Sequence, residues 1–307
     1  MYYEDGLTQN QIAKELGIYR TTITRLLQKA KDQGIVTISI KGHSKELVDL
    51  ERELNHEFNI EDIIIIPIEG NETSETRKRK LAETALSLLV ENITDDDSVG
   101  LAWGSTLGKM IDPLRKYPKR EIDFIPLIGG PGKIAVNEHV NTIVYNVAKA
   151  FNGRANFIDV PAVVPSKKTK EELNNSAYQE TVVKLWKSIT IAIIGIGVTN
   201  NSATLVSSGM FNDADIAELQ NKGAVGEICF RFFDNEGIPI QTSIDERTIS
   251  VQLDQLKNLR MSLALAESNN KVEAIIGALK GGYITHLITN DETAETILET
   301  ISRDKQI

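Results

Sequence analysis

One cysteine, Cys229, is all that the 307 residues contain. That excludes an internal disulfide framework and a zinc cage built from cysteines alone. The four histidines show no metal-ligand spacing. No apolar run reaches the roughly 18 residues needed to span a bilayer. The N-terminus, MYYEDGLTQNQ, lacks the basic-then-apolar layout of a secretion signal. No metal, no cofactor and no membrane are therefore expected, and the expected location is cytoplasmic. Hydrophobic residues at 41% and charged residues at 25% describe an ordinary globular chain. At about 100–200 residues per domain, the length implies two domains.

The net charge of −9 argues against a nucleic-acid binder until its distribution is considered. Residues 1–41 hold six Lys/Arg against four acids, a net +2, which leaves −11 for the remainder. A small positive head precedes a large acidic body.

The head reads as two helices. Thr8 and Gln11 form a T-x-x-Q capping box that starts the first. Ile12, Ala13 and Leu16 make its apolar stripe, and Gly17 can take the left-handed conformation that ends it. The second spans about 19–33, with Ile23, Leu26, Leu27 and Ala30 at helical spacing and Gly34 closing it. Val36, Ile38 and Ile40 then alternate with polar residues, as in a wing strand. Two short helices about a glycine turn match a helix-turn-helix. The second presents Arg20, Thr21, Thr22, Thr24 and Arg25 at the end from which recognition helices reach base edges. Residues 44–58 form a further helix with Leu47, Leu50, Leu54 and Phe58 on one face, read as a packed linker helix.

Beyond residue 58, apolar runs recur at 63–66, 99–102, 124–128, 157–164, 189–194, 228–233, 261–265 and 287–289. Helical patterns separate several of them, at 80–90, 140–151, 181–187, 214–219 and 272–279. Continuous apolar strands alternating with helices imply an α/β domain with a doubly wound, largely parallel sheet. Ligands in such sheets sit at the carboxyl ends of the strands.

Five loops lie at such ends. Trp103-Gly104-Ser105-Thr106 offers a glycine for close approach, two hydroxyls and free N–H groups that favour an anion, or simply a helix cap. Ile128-Gly129-Gly130-Pro131-Gly132-Lys133 is a close-approach loop or a tight turn, with His139 and Asn141 at the next helix start. Gly195-Ile196-Gly197 does not extend to a dinucleotide motif, because Asn200 stands where the last glycine belongs. Glu227 precedes a buried run and could bind sugar hydroxyls. Lys271, in Asn269-Asn270-Lys271, could pair with an anion. Both also read as solvated loop charges. The basic run Arg77-Lys78-Arg79-Lys80 reads as a solvated helix face rather than a phosphate patch.

In this order the segments VGLAWGSTL, IPLIGG, IAIIGIG, GAVGEICFRFFDNEG and KVEAIIGALKGGYITHLITND, behind GLTQNQIAKELGIYRTTITRLLQKAKDQGIVTISI, resemble the SorC family of transcriptional regulators. The resemblance covers nearly the whole chain. It implies a winged helix-turn-helix over 1–42, a linker helix over 43–58, and a sugar-binding and oligomerisation domain over 59–307, similar in fold to sugar-phosphate isomerases. It implies an effector pocket of Gly104, Ser105 and Thr106 as phosphate loop, with Gly129, Gly130, His139, Asn141, Glu227 and Lys271. It places Gln9 and Tyr19 beside Arg20, Thr21, Thr22, Thr24 and Arg25 on the DNA-reading side. The implied partners are operator DNA, a sugar or sugar phosphate, and further copies of the chain, as dimer or tetramer.

Three departures stand out. Glu267-Ser268 replaces a glycine pair common in the family, and a carboxylate there would repel an anion. Ile128 replaces a basic residue that holds a second phosphate in some relatives. Met1-Tyr2-Tyr3 falls inside what would be the family's first helix, so a truncated helix is expected. The resulting expectation is a sequence-specific, effector-controlled regulator of a carbohydrate-related operon, with no catalytic residues. The alternatives are an isomerase-like enzyme carrying a DNA-binding head and a sugar-binding module without DNA function.

Overall fold

The structure is a computed structural model that describes residues 9–32, 45–117, 121–199 and 209–305. The chain divides into two compact units, Met1–Ser44 and Lys45–Ile307.

In the first unit, α1 (Gln9–Leu16) and α2 (Arg20–Asp32) pair through buried Ile12 and Ile23. Gly17, at φ +66°, ends α1, and the Ile18 N–H donates to the Ala13 carbonyl across it. The turn is the expected one. Thr8, Gly34 and the strand expected at 36–40 lie outside the described residues.

The second unit begins with α3 (Lys45–Phe58), whose Leu47 and Leu54 are buried in the core. The Ile65 N–H donates to Glu51 on this helix. The central sheet has seven strands: β1 (Asp62–Ile66), β2 (Ser98–Leu101), β3 (Asp123–Pro126), β4 (Arg154–Ala155), β5 (Ile191–Gly195), β9 (Met261–Leu265) and β10 (His286–Asn290). They run parallel in the order β1-β10-β9-β5-β2-β3-β4. Every residue of β9 is buried, which is why this strand shows no alternation in sequence. The connecting helices include α4 (Ser74–Asn92), α5 (Ser105–Gly108), α6 (Val140–Phe151), α7 (Lys167–Asn174), α8 (Ala177–Ser188), α9 (Asp213–Asn221), α10 (Leu253–Lys257), α11 (Val272–Lys280) and α12 (Asp291–Asp304). No helix among the described residues is long and apolar enough to cross a membrane.

Two expected strands are corrected. Residues 157–164 form a loop that makes only isolated bridges, to Gly130 and Thr248. Pro161 lacks a donor, and Asn141 fixes the loop by holding both the Ile158 carbonyl and its N–H. The run 228–233 is broken into β7 (Gly226–Ile228) and β8 (Arg231–Phe233), paired antiparallel with each other, and β7 pairs with β6 (Gly197–Val198). Cys229 and Phe230 make the turn, both at positive φ, 54° and 57°. This small sheet follows β5 directly, so it stands at the carboxyl edge of the large one.

Candidate functional site

Loops from β2, β3, β5 and β9 converge at that edge. After β2, Gly104 adopts φ 130°, ψ 168°, a conformation open to glycine. Its N–H donates to the Glu138 carbonyl (3.2 Å), which ties the loop to the start of α6. The N–H groups of Ser105, Thr106 and Leu107 and the two hydroxyls have no partner among the described residues. They form a row of donors with no acceptor.

The glycine pair after β3 divides into two roles. A Cβ on Gly129 would lie 2.6 Å from the Val160 carbonyl oxygen, so this glycine permits a backbone contact. A Cβ on Gly130 would meet His139 Nε2 at 3.3 Å, so Gly130 borders the histidine. His139 caps α6, its Nδ1 accepting the Asn141 N–H (3.3 Å). Burial holds the imidazole pKa below its ordinary value. The neutral ring therefore carries its proton on Nε2, as a donor beside Gly130. Asn141 does not present its amide to a ligand, because both ends are engaged by Ile158.

Glu227 lies on β7. Its Oε2 accepts the Phe230 N–H at 2.7 Å, so the carboxylate braces the Cys229-Phe230 turn. Burial pushes its pKa up to about 7, against the pull of that N–H and of Lys271. Gly197 is what admits it: a Cβ there would stand 2.0 Å from Glu227 Oε1. The second glycine of the incomplete Gly195-Ile196-Gly197 motif makes room for a carboxylate, a signal that pairing of β6 with β7 would have revealed. The ring of Trp103, next to Gly104, packs edge-on against Phe230 with centroids 5.4 Å apart. This contact joins the donor loop to the turn that Glu227 braces.

Lys271 ends the 3-10 turn Asn269–Lys271. Its ammonium forms no ion pair or hydrogen bond among the described residues. Burial lowers its pKa, while Glu227 and Glu267 favour its charge. Glu267 is itself buried, accepts from Asn290 Nδ2 (3.0 Å), and lies 3.9 Å from Arg77. Ser268 adopts φ 113°, a backbone that suits glycine better than serine. The basic run is ion-paired: Arg77 with Glu292 (3.4 Å), Lys78 with Glu75 (3.3 Å), and Lys80 with Glu72. Arg79 is exposed.

On the other unit, Tyr19, Arg20, Thr21, Thr24 and Arg25 are exposed at the start of α2, and Thr22 is half-buried. The Thr24 hydroxyl donates back to the Arg20 carbonyl (3.1 Å). Gln9 opens α1, and its side chain lies outside the described residues.

Comparisons agree with this two-part construction. Residues 43–299 match the family model described as "Putative sugar-binding domain", and residues 2–37 match a winged helix-turn-helix DNA-binding model. The chain is 32% identical to the sorbitol operon regulator of Klebsiella pneumoniae over 97% of this chain and 95% of the relative. The full-length crystal structure of that regulator superposes with a TM-score of 0.79, over the same shares of the two chains. The deoxyribonucleoside regulator of Bacillus subtilis is 29% identical, over 98% of this chain and 96% of its own. A transcriptional regulator from Streptococcus pneumoniae, 32% identical, superposes with a TM-score of 0.79 over 84% of this chain and 98% of its own. These relatives are regulators of transcription, which sets the enzyme reading aside. With both domains matched in order along nearly its whole length, the chain belongs to the SorC family of transcriptional regulators.

Proposed function

We propose that this regulator controls a carbohydrate-related operon in the cytoplasm, and that its effector is a sugar phosphate bound at the carboxyl edge of the sheet. The observation that supports it most is the row of free donors at Ser105, Thr106 and Leu107, in a loop tied to Glu138, next to His139, and packed against the turn of Glu227. Free N–H groups and hydroxyls suit a phosphate. The His139 Nε2–H and the Glu227 carboxyl suit hydroxyls of the sugar, and Lys271 supplies a buried ammonium without an ion-pair partner among the described residues. Gly104, Gly129 and Gly130 give the backbone access, while Asn141 supports from behind. With Ile128 in place of a basic residue, one phosphate is favoured over two.

DNA is read from α2, by Arg20, Thr21 and Arg25 foremost, with Tyr19, Thr22, Thr24 and Gln9 beside them. Base readout comes from such side chains, and phosphate pairing supplies salt-dependent affinity. A head of net +2 is weak alone, so the chain works as a dimer or tetramer on a repeated site. The effector acts by binding one state of that assembly more tightly than another.

Isothermal titration with matched phosphorylated and unphosphorylated sugars tests the effector reading. Thr106→Ala and Lys271→Ala should each weaken sugar-phosphate binding by about 1.5–3 kcal/mol, with operator binding of the ligand-free protein intact. Equal affinities for the two sugar forms would overturn the phosphate assignment.

A further inference from the structure

A second cleft, of about 630 Å³, opens between α8, α7 and the segment 248–255, and none of the candidate effector residues lines it. Its size is that of a small-molecule site. Val183, Trp186 and Ile249 make an apolar wall. The Trp186 ring is fixed there, because its indole N–H donates to the Pro126 carbonyl (2.8 Å). Arg231 supports the floor with every nitrogen engaged, by Ser250, Thr248, Val251 and Asp245.

The mouth is cationic. Lys184 and Lys187 are exposed there and have no ion-pair partner among the described residues. Glu180 is the one acidic residue lining it. Lys170 is half-buried and makes a single hydrogen bond, to the Asp245 carbonyl (2.8 Å). The nearby acids serve others: Asp245 pairs with Arg231 (3.2 Å) and Glu246 with Lys167 (2.8 Å). Burial and the charge of Arg231 push the Lys170 pKa down to about 8. An unneutralised half-buried ammonium beside a rigid indole calls for an anion with a flat apolar body.

We propose that this cleft is a second small-molecule site, for an aromatic organic anion that stacks against Trp186 and Ile249 and pairs with Lys170. The wall connects it to the glycine pair. The Gly129 N–H donates to the Ile249 carbonyl (3.0 Å), and the Ile249 N–H donates to Ala162 (2.7 Å). An occupant pressing on Ile249 therefore acts on the segment whose carbonyl holds Gly129, next to Gly130. The site stands whether or not the sugar-phosphate reading holds.

The test titrates the full chain with 8-anilinonaphthalene-1-sulfonate, reading its fluorescence and the quenching of tryptophan emission in a Trp103→Phe background, where Trp186 is the remaining tryptophan. Saturable one-to-one binding is expected, with affinity reduced roughly tenfold in Lys170→Met and unchanged in Lys271→Met. Affinity should fall from about pH 7 to pH 9.5 in the wild type, as the lysine loses its proton, and stay level in Lys170→Met. Val183→Phe, which fills the cleft, should abolish binding; if it fails to fold, the Lys170 arms decide alone. Non-saturable binding overturns the proposal, as does binding indifferent to Lys170→Met. So does binding that appears only when sedimentation shows an oligomer dissociating, since a second copy would then occupy the cleft.

Discussion

Glu227 carries two loads at once. It braces a turn of two non-glycine residues at positive φ, and it lends a carboxyl group to the candidate site. Its raised pKa makes the protonated form more populated in the folded chain than in the unfolded one between about pH 4.5 and 7. A raised folded pKa contributes stability below the unfolded value of 4.5, and that contribution is lost as pH rises towards about 7. Glu227→Gln should therefore match the wild type near pH 5 and exceed it at about pH 8, by on the order of 1–3 kcal/mol. Thermal unfolding without effector checks this, and a variant less stable at both pH values would contradict it. Gly197→Ala tests the same carboxylate from the other side. The obstructed atom is the tip of a side chain, so the fold should survive while Glu227 is displaced. Effector affinity should drop about tenfold or more. Gly129→Ala should instead destabilise the fold, since its Cβ would strike the backbone of Val160 and Pro161.

At the scale of elements, the strands were legible where burial on both faces makes the apolar run continuous, as in β5 and β9. The helix over 140–151 matches its pattern from end to end. The break within 228–233 was not legible, because a tight hairpin turn is normally announced by Gly, Asn or Asp. Here Cys229 and Phe230 serve, held by the distant contacts of Phe230 with Trp103 and Phe211 and by the Glu227 carboxylate. Loop 157–164 misled for the opposite reason: it is apolar because it packs, while its backbone bonds run to Gly130 and residues 247–249. Of the site, the glycines and hydroxyls showed in sequence, but the Gly197–Glu227 fit and the support role of Asn141 are tertiary. Another tertiary device pins the opposite edge. Buried Asp97, before β2, accepts from Thr190 before β5 (2.6 Å) and from Arg260 before β9 (2.6 Å). Burial raises its pKa, but the bonds from Thr190, Thr94 and Arg260 outweigh it and leave it low. A depressed pKa gives stability above the unfolded value of 3.8, lost as pH falls through the folded one. Asp97→Ala should cost about 2–4 kcal/mol at neutral pH. Urea unfolding should show that difference shrinking by about pH 3.

For the whole molecule, the question is how a head of two visible helices and six basic residues holds an operator. The boundary at Lys45 leaves α3 on the body, where Leu54 is fully buried and Glu57 pairs with Lys305 (2.7 Å). A fragment of residues 45–307 should therefore fold cooperatively and bind effector within about twofold of the full chain, without operator affinity. The full chain sets a sharper test. Each phosphate neutralised contributes about −0.9 to the slope of log K against log salt. One head, with six Lys/Arg in residues 1–41, can supply a slope no steeper than about −5. If two or more heads engage together, anisotropy titrations against salt on an operator selected from random DNA should give a steeper slope. Arg20→Ala with Arg25→Ala should then flatten it by more than about 2, because each head loses its arginines. A slope within the limit of one head, reduced by 2 or less in the double variant, would mean that a single head binds and that no repeated site is needed.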